Sequence, residues 1–179
     1  DVGCVGVEFA GYHKRIAHEL RQMCYELKWT VVGTHLGIGT LLGDQLAETV
    51  MFNRTLGHRY LIVPGLAEEY RATAAAWRQT AATFNDIAAK AAALDAQIGY
   101  HNHLLEFEDL DGEIPWDIFC GGTPQNVLTQ LDVGHCMRGG GDPGASLHKS
   151  AGRAPVVPVK EDEPPRRLQP SDAGVRPTP

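Results

Sequence analysis

No run in this chain approaches the ~18–20 consecutive apolar residues that a membrane helix needs. The opening residues, Asp1-Val2-Gly3-Cys4, lack the basic start and apolar core of a signal peptide. Both gaps point away from a membrane partner and toward the cytoplasm. The four cysteines (Cys4, Cys24, Cys120 and Cys136) form no CxxC pair. That spacing excludes structural zinc, and a chain of this size needs no disulfides to hold a core, so they read as reduced thiols. Basic residues are the minority, 16 against 22 acidic ones, for a net charge of -6. Overall charge therefore argues against nucleic acid as a partner. A dinucleotide fingerprint is missing too. Gly37-Ile38-Gly39-Thr40-Leu41-Leu42-Gly43 has its third glycine one place late, and no acidic residue closes the next strand, where Pro64 runs into Gly65.

The content that remains is that of one globular domain, 43% hydrophobic and 21% charged over 179 residues. Short apolar or β-branched runs occupy residues 5–9, 30–36, 60–64, 98–103, 127–133 and 154–160. Their starts lie about 25 to 38 residues apart, the length of a strand-loop-helix-loop unit. Between them, residues 13–28 predict a helix with Ile16, Leu20, Met23, Cys24 and Leu27 on one face. Residues 44–56 predict another, stopped by Gly57, and the Ala-rich stretch 70–96 a third. Regular βα repetition predicts a parallel sheet covered by helices.

An open doubly wound sheet and a (β/α)8 TIM barrel both fit that repetition. Polar groups at the C-terminal ends of several strands decide for the barrel, whose active face lies there. They are Glu8, His35, His101 with His103, Asp132 with His135, and Lys160 with Glu161. A full barrel takes about 250 residues and eight strands. The expectation is therefore an incomplete α/β barrel over residues 1–163, about six βα units, lacking the first and last strands. Residues 164–179, rich in proline and without periodicity, read as a disordered tail.

Strand alternation sends His101 and His103 to one side and Tyr100 and Asn102 to the other. Glu106 follows them. Asp132 ends an apolar strand, where a buried carboxylate is costly unless paired or metal-bound. Oxygen and nitrogen donors without sulfur suit a divalent metal: Mn2+ first, with Mg2+, Co2+ or Zn2+ as alternatives. His13, His18, His58 and His148 read as surface residues, and Trp77 and Trp116 as packing residues.

GVEF at 6–9, GTHLG at 33–37, GYHNHLLEF at 99–107, LDVGH at 131–135, GGDP at 140–143 and GRAPVV at 152–157 follow one another in order. Over residues 3–163 the chain thereby resembles the sugar phosphate isomerase/epimerase family, the xylose isomerase-like TIM barrels that also include inosose dehydratase and endonuclease IV. The resemblance implies a metal held by Asp132 and by His101 or His103, with His101 taken as the ligand. Glu8 and His35, at strand ends facing the barrel mouth, are expected to contact substrate or to make structural hydrogen bonds, and His103 and Lys160 are taken as further substrate contacts. Glu106 and His135 match positions facing the substrate's hydroxyls and are the candidate catalytic groups. The implied reaction is isomerisation or epimerisation of a ketose or keto-sugar, free or phosphorylated, through an enediolate. An inosose dehydratase-like lyase is the alternative.

One departure bears on activity. After GRAPVV the family carries His-x-Lys-Asp or His-x-Lys-Glu, with the His a ligand, and here the residues are Pro158-Val159-Lys160-Glu161. Proline supplies no donor and interrupts a central strand. The family's last-strand glutamate also has no counterpart in the 179 residues, so the expectation extends to a non-catalytic fragment. An open barrel edge, with its unpaired strand groups, predicts association into homo-oligomers. DNA repair is disfavoured by the acidic chain and by too few ligands for a three-metal site.

Overall fold

The structure, a computed structural model, describes residues 3–159. Lys160, Glu161 and the tail expected at 164–179 lie outside the described residues. Five parallel strands form one sheet in the order β1-β2-β3-β4-β5: β1 Gly6–Ala10, β2 Thr30–His35, β3 Tyr60–Val63, β4 Gln97–His101 and β5 Leu128–Gln130. Strand order is what separates the two candidate architectures. A doubly wound sheet reverses direction partway and puts helices on both faces. Here every crossover moves one strand onward, so crossovers of one hand stack all helices on one side and the sheet curls about the other. The TIM-barrel expectation is borne out in this strand order.

The helices follow their signals with corrected boundaries. Helix α1 is Ala17–Glu26, not 13–28, because His13 and Lys14 adopt positive φ of 53° and 60°. Its buried face is Ala17, Leu20 and Cys24, whereas Ile16, Met23 and Leu27 are exposed. Helix α2, Gln45–Leu56, ends at Gly57, whose φ of 94° closes the helix in the left-handed conformation. Helix α3 is Ala74–Ala93, shorter than expected at its start, because the Thr73 hydroxyl caps it by accepting from the Ala76 amide. It buries Trp77, Ala81, Phe84, Ala88 and Ala91 at helical spacing. Helix α4, Pro115–Gly122, adds Trp116 and Phe119, and both tryptophans pack as expected. These side chains meet Leu61, Val63, Ile98, Tyr100 and Leu131 from the outer face of the sheet, and this layer is the main core.

Two of the expected strands depart from the sequence analysis. The run 127–133 is a strand only over Leu128–Gln130. Asp132 then caps α5, Val133–Arg138, by accepting from the His135 amide at 2.8 Å, and α6 follows at Pro143–Lys149. The expected sixth strand at 154–160 is not formed among the described residues. Its backbone runs beside β5, where the Thr129 amide donates to Arg153 O at 2.9 Å and the Val133 amide to Pro158 O at 3.1 Å. Pro155 and Pro158 have no N–H to return, so a regular ladder cannot propagate. Arg153 anchors this stretch. Its buried guanidinium donates to the carbonyls of Val127, Cys120 and Thr123 and to the Thr123 hydroxyl.

Candidate active site at the strand ends

The inner face of the sheet becomes polar toward the C-terminal ends of its strands. A bulge makes part of that surface. β1 and β2 pair Val7 with Val31 but Glu8 with Gly33, so β2 holds one extra residue there. The bulge inverts side-chain alternation along β2. His35 consequently turns inward, and Thr34 turns outward to His58, with Oγ1 and Nε2 2.9 Å apart. Gly33 faces Glu8 so closely that a Cβ built on it would lie 2.8 Å from Glu8 Oε1, so any side chain there would push that carboxylate from its place.

Glu8, His35 and His101 are joined through a residue that the sequence analysis did not single out, Gln130. Its Nε2 donates to Glu8 Oε1 at 2.7 Å, and its Oε1 lies 2.8 Å from His35 Nε2 and 3.0 Å from His101 Nδ1. His35 Nε2 also sits 3.3 Å from Glu8 Oε2. Burial works to raise the Glu8 carboxyl, but hydrogen bonds from His35 and Gln130 outweigh it and hold the group below its ordinary range. Burial works against charge on His35, and Glu8 and Gln130 overcome it, so the His35 pKa is raised. His101 has the opposite fate. Burial, with His35 and His103 beside it, lowers its pKa to about 4 despite Asp132. His101 Nε2 lies 4.0 Å from Asp132 Oδ2, and with the imidazole neutral this contact is not an ion pair.

Beyond His101 the imidazoles continue outward. Ring centroids are 5.0 Å apart for His35–His101, 5.2 Å for His101–His103 and 4.8 Å for His103–His135. Six of the expected site residues therefore gather into one array from β1, β2, β4 with the turn after it, and the N-cap and first turn of α5. Glu106 is placed otherwise. It is 2% exposed, and its two oxygens accept from the Tyr100 hydroxyl at 2.5 Å and the His103 amide at 2.7 Å. Its carboxylate holds the His103 turn in place behind the array. Burial, followed by the Glu106 charge, pushes the Tyr100 hydroxyl far above its ordinary pKa. His58, expected at the surface, is half-buried at the other end of the sheet, where burial lowers its pKa to about 4.

Among the described residues no group of three or more His, Cys, Asp or Glu side chains is placed to hold a metal ion. His101 Nε2 and Asp132 Oδ2, 4.0 Å apart, are the two donors here that would hold a divalent ion. These residues alone do not make a metal site. Two clefts of about 660 and 670 Å³ lie away from the array, one at the N-terminal ends of β2 and β3 and one beside α4.

No protein-family profile and no curated protein sequence matches the chain. Solved structures do. A sugar phosphate isomerase/epimerase from Parabacteroides distasonis ATCC 8503 superposes with a TM-score of 0.71 at 18% identity, over 84% of this chain and 62% of that one. A second from the same organism gives 0.72 at 22% identity, over 87% and 67%. An AP endonuclease, family 2, from Brucella melitensis gives 0.65 at 17% identity, over 87% and 68%. These likenesses show the fold: the chain shares the TIM-barrel architecture of these proteins. It spans 62% of the length of the first. No helix among the described residues is long and apolar enough to cross a membrane.

Proposed function

We propose that this face belongs to a sugar or sugar-phosphate isomerase/epimerase, in which the strand-end array binds a ketose or keto-sugar and moves a proton between neighbouring carbons. The observation that carries the reading is the contiguous set of four imidazoles and two carboxylates at the C-terminal ends of the strands. Two neighbouring protonation states support acid–base work there. His35 is biased toward its charged form by Glu8, and His101 is held neutral by burial. His103 and His135, half-exposed at the outer end of the array, meet the substrate's hydroxyls, with His135 as proton carrier. Glu106 serves as a positioning residue, since both its oxygens are engaged by Tyr100 and His103. Metal-assisted enediolate chemistry needs ligands beyond His101 and Asp132.

The net charge of -6 favours a small neutral or modestly charged ligand over DNA, despite the endonuclease's similar fold. Four free thiols favour the cytoplasm. The unpaired edge of β1 favours association between copies.

The test is a titration of the folded full chain with fructose, fructose 6-phosphate and related ketoses, followed at the histidine ring signals. Deuterium incorporation beside the carbonyl is then measured in D2O. Shifts at His101, His103 and His135 are expected, with exchange at the carbon next to the carbonyl. Loss of water from the substrate would assign dehydration instead. Undisturbed rings with every sugar would overturn the reading.

A further inference from the structure

The protons on two of these histidines are assigned by a single side chain. A carboxylate only accepts hydrogen bonds, so the Gln130 atom 2.7 Å from Glu8 Oε1 is the amide NH2. That orientation turns the amide oxygen toward the histidines, 2.8 Å from His35 Nε2 and 3.0 Å from His101 Nδ1. The oxygen also only accepts, so both of these ring nitrogens carry hydrogen. A neutral imidazole has one N–H. We infer that Gln130 is a positioning residue that sets the His101 tautomer, keeping an N–H on His35 Nε2 and the single proton of neutral His101 on Nδ1, so that His101 presents a bare Nε2 lone pair to the substrate.

This tautomer of His101 is the reverse of the one free histidine favours in water, so the surroundings must select it. Glu8 orients the amide, the amide selects the tautomer, and three strands (β1, β5 and β4) carry the chain of constraints. Gln130 is 2% exposed, which leaves it no water with which to exchange these partners. His101 Nε2 makes no hydrogen bond among the described residues, and the nearest carboxylate oxygen, Asp132 Oδ2, stands 4.0 Å away, beyond bonding distance. A lone pair beside a carboxylate attracts a hydrogen donor and repels the oxygens of a phosphate. This subsite therefore takes a hydroxyl-bearing carbon of the sugar, and any phosphate on the substrate lies away from His101.

The inference rests on the proposed function for its catalytic meaning, but the tautomer is read without substrate. The experiment is a long-range proton–nitrogen correlation spectrum of the histidine rings in the uniformly 15N-labelled full chain at neutral pH. His101 is expected to show a protonated Nδ1 and an unprotonated Nε2. In Gln130→Met, which removes the amide at similar volume, the His101 tautomer should reverse. In Gln130→Glu, which keeps an acceptor oxygen at that place, Nδ1 should stay protonated. A protonated Nε2 in the native chain overturns the inference. So does an unreversed tautomer in folded Gln130→Met, or a reversed one in Gln130→Glu, which decides the matter if the methionine variant does not fold. Undisturbed rings on sugar addition would overturn the proposed function and leave the tautomer standing.

Discussion

Asn102 and Asp132 lock the ends of β4 and β5 together through one side chain. Asn102 Oδ1 accepts from the Asp132 amide at 2.8 Å, and its Nδ2 donates to Asp132 O at 3.2 Å. The amide of Asn102 thus imitates a strand neighbour just past the last paired residues, His101 and Gln130. The two histidines flanking Asn102 and the carboxylate of Asp132 are held in mutual register by that imitation. Asn102→Ala leaves the buried Asp132 N–H without its partner, at a cost of about 1–3 kcal/mol, while the Asp132 carbonyl keeps the Cys136 amide at 2.9 Å. Urea denaturation should show the loss, and the ring signals of His101 and His103 should shift with it. An unchanged midpoint would remove Asn102 from this role.

Glu106 separates a positioning role from a proton-carrying one. Glu106→Gln can still accept from the His103 amide while its NH2 donates to the Tyr100 oxygen, so both contacts survive without the charge. Sugar binding and any exchange activity should then persist. Glu106→Ala should lose both, with stability falling by about 1.5–3 kcal/mol, the usual worth of a hydrogen bond to a charged group. Activity abolished by the glutamine variant alone, with the fold intact, would return Glu106 to catalysis.

Two histidines tie stability to pH. Burial lowers the pKa of His58 and of His101 from 6.5 to about 4. Between those values the unfolded chain binds protons that the folded chain refuses. Stability from these two groups is therefore full above pH ~6.5 and declines as pH falls toward ~4. His35 runs the other way: its raised pKa contributes stability that is full below pH ~6.5 and is lost as pH rises through the folded value. Urea midpoints measured between pH ~4 and ~7 should drop toward the acid end, and His58→Asn should flatten that slope. A slope unaltered by the substitution would show that His58 takes up its proton freely in the folded chain.

Arg153 clamps the end of α4 and the start of β5 to the stretch beside it. All four of its hydrogen bonds go to uncharged oxygens of Val127, Cys120 and Thr123. Lysine cannot reproduce that planar fork, so Arg153→Lys should destabilise nearly as much as Arg153→Ala, by about 2–4 kcal/mol. Equal stability of the lysine variant and the native protein would show that charge alone suffices.

Metal affinity measures how far two ligands go. Calorimetric titration with Mn2+ should show weak binding that Asp132→Ala diminishes. Tight stoichiometric binding untouched by that substitution would remove Asp132 and its neighbour His101 from metal ligation.

Periodicity alone made the βα order legible: five of the six expected strands and the three longest helices stand where the apolar runs place them. Polar residues at strand ends were enough to choose a barrel and to name Glu8, His35, His101, His103, Asp132 and His135. Gln130 could have been found by the same reasoning. It is a polar residue inside an apolar strand, two positions before Asp132 and hence on its face. Other features depended on contacts distant in sequence. The β2 bulge, which turns His35 inward, arises from pairing with β1. The resemblance implied that Glu106 faces the substrate, and only the fold brings its two oxygens to the buried Tyr100 hydroxyl and the His103 amide. The sixth run is apolar enough for a strand, but Pro155 and Pro158 have no N–H to offer its neighbour. Side-chain type and spacing follow from local chemistry, which a sequence displays. Which oxygen meets which proton was decided only when β1, β4 and β5 brought Glu8, His101 and Gln130 within hydrogen-bonding distance.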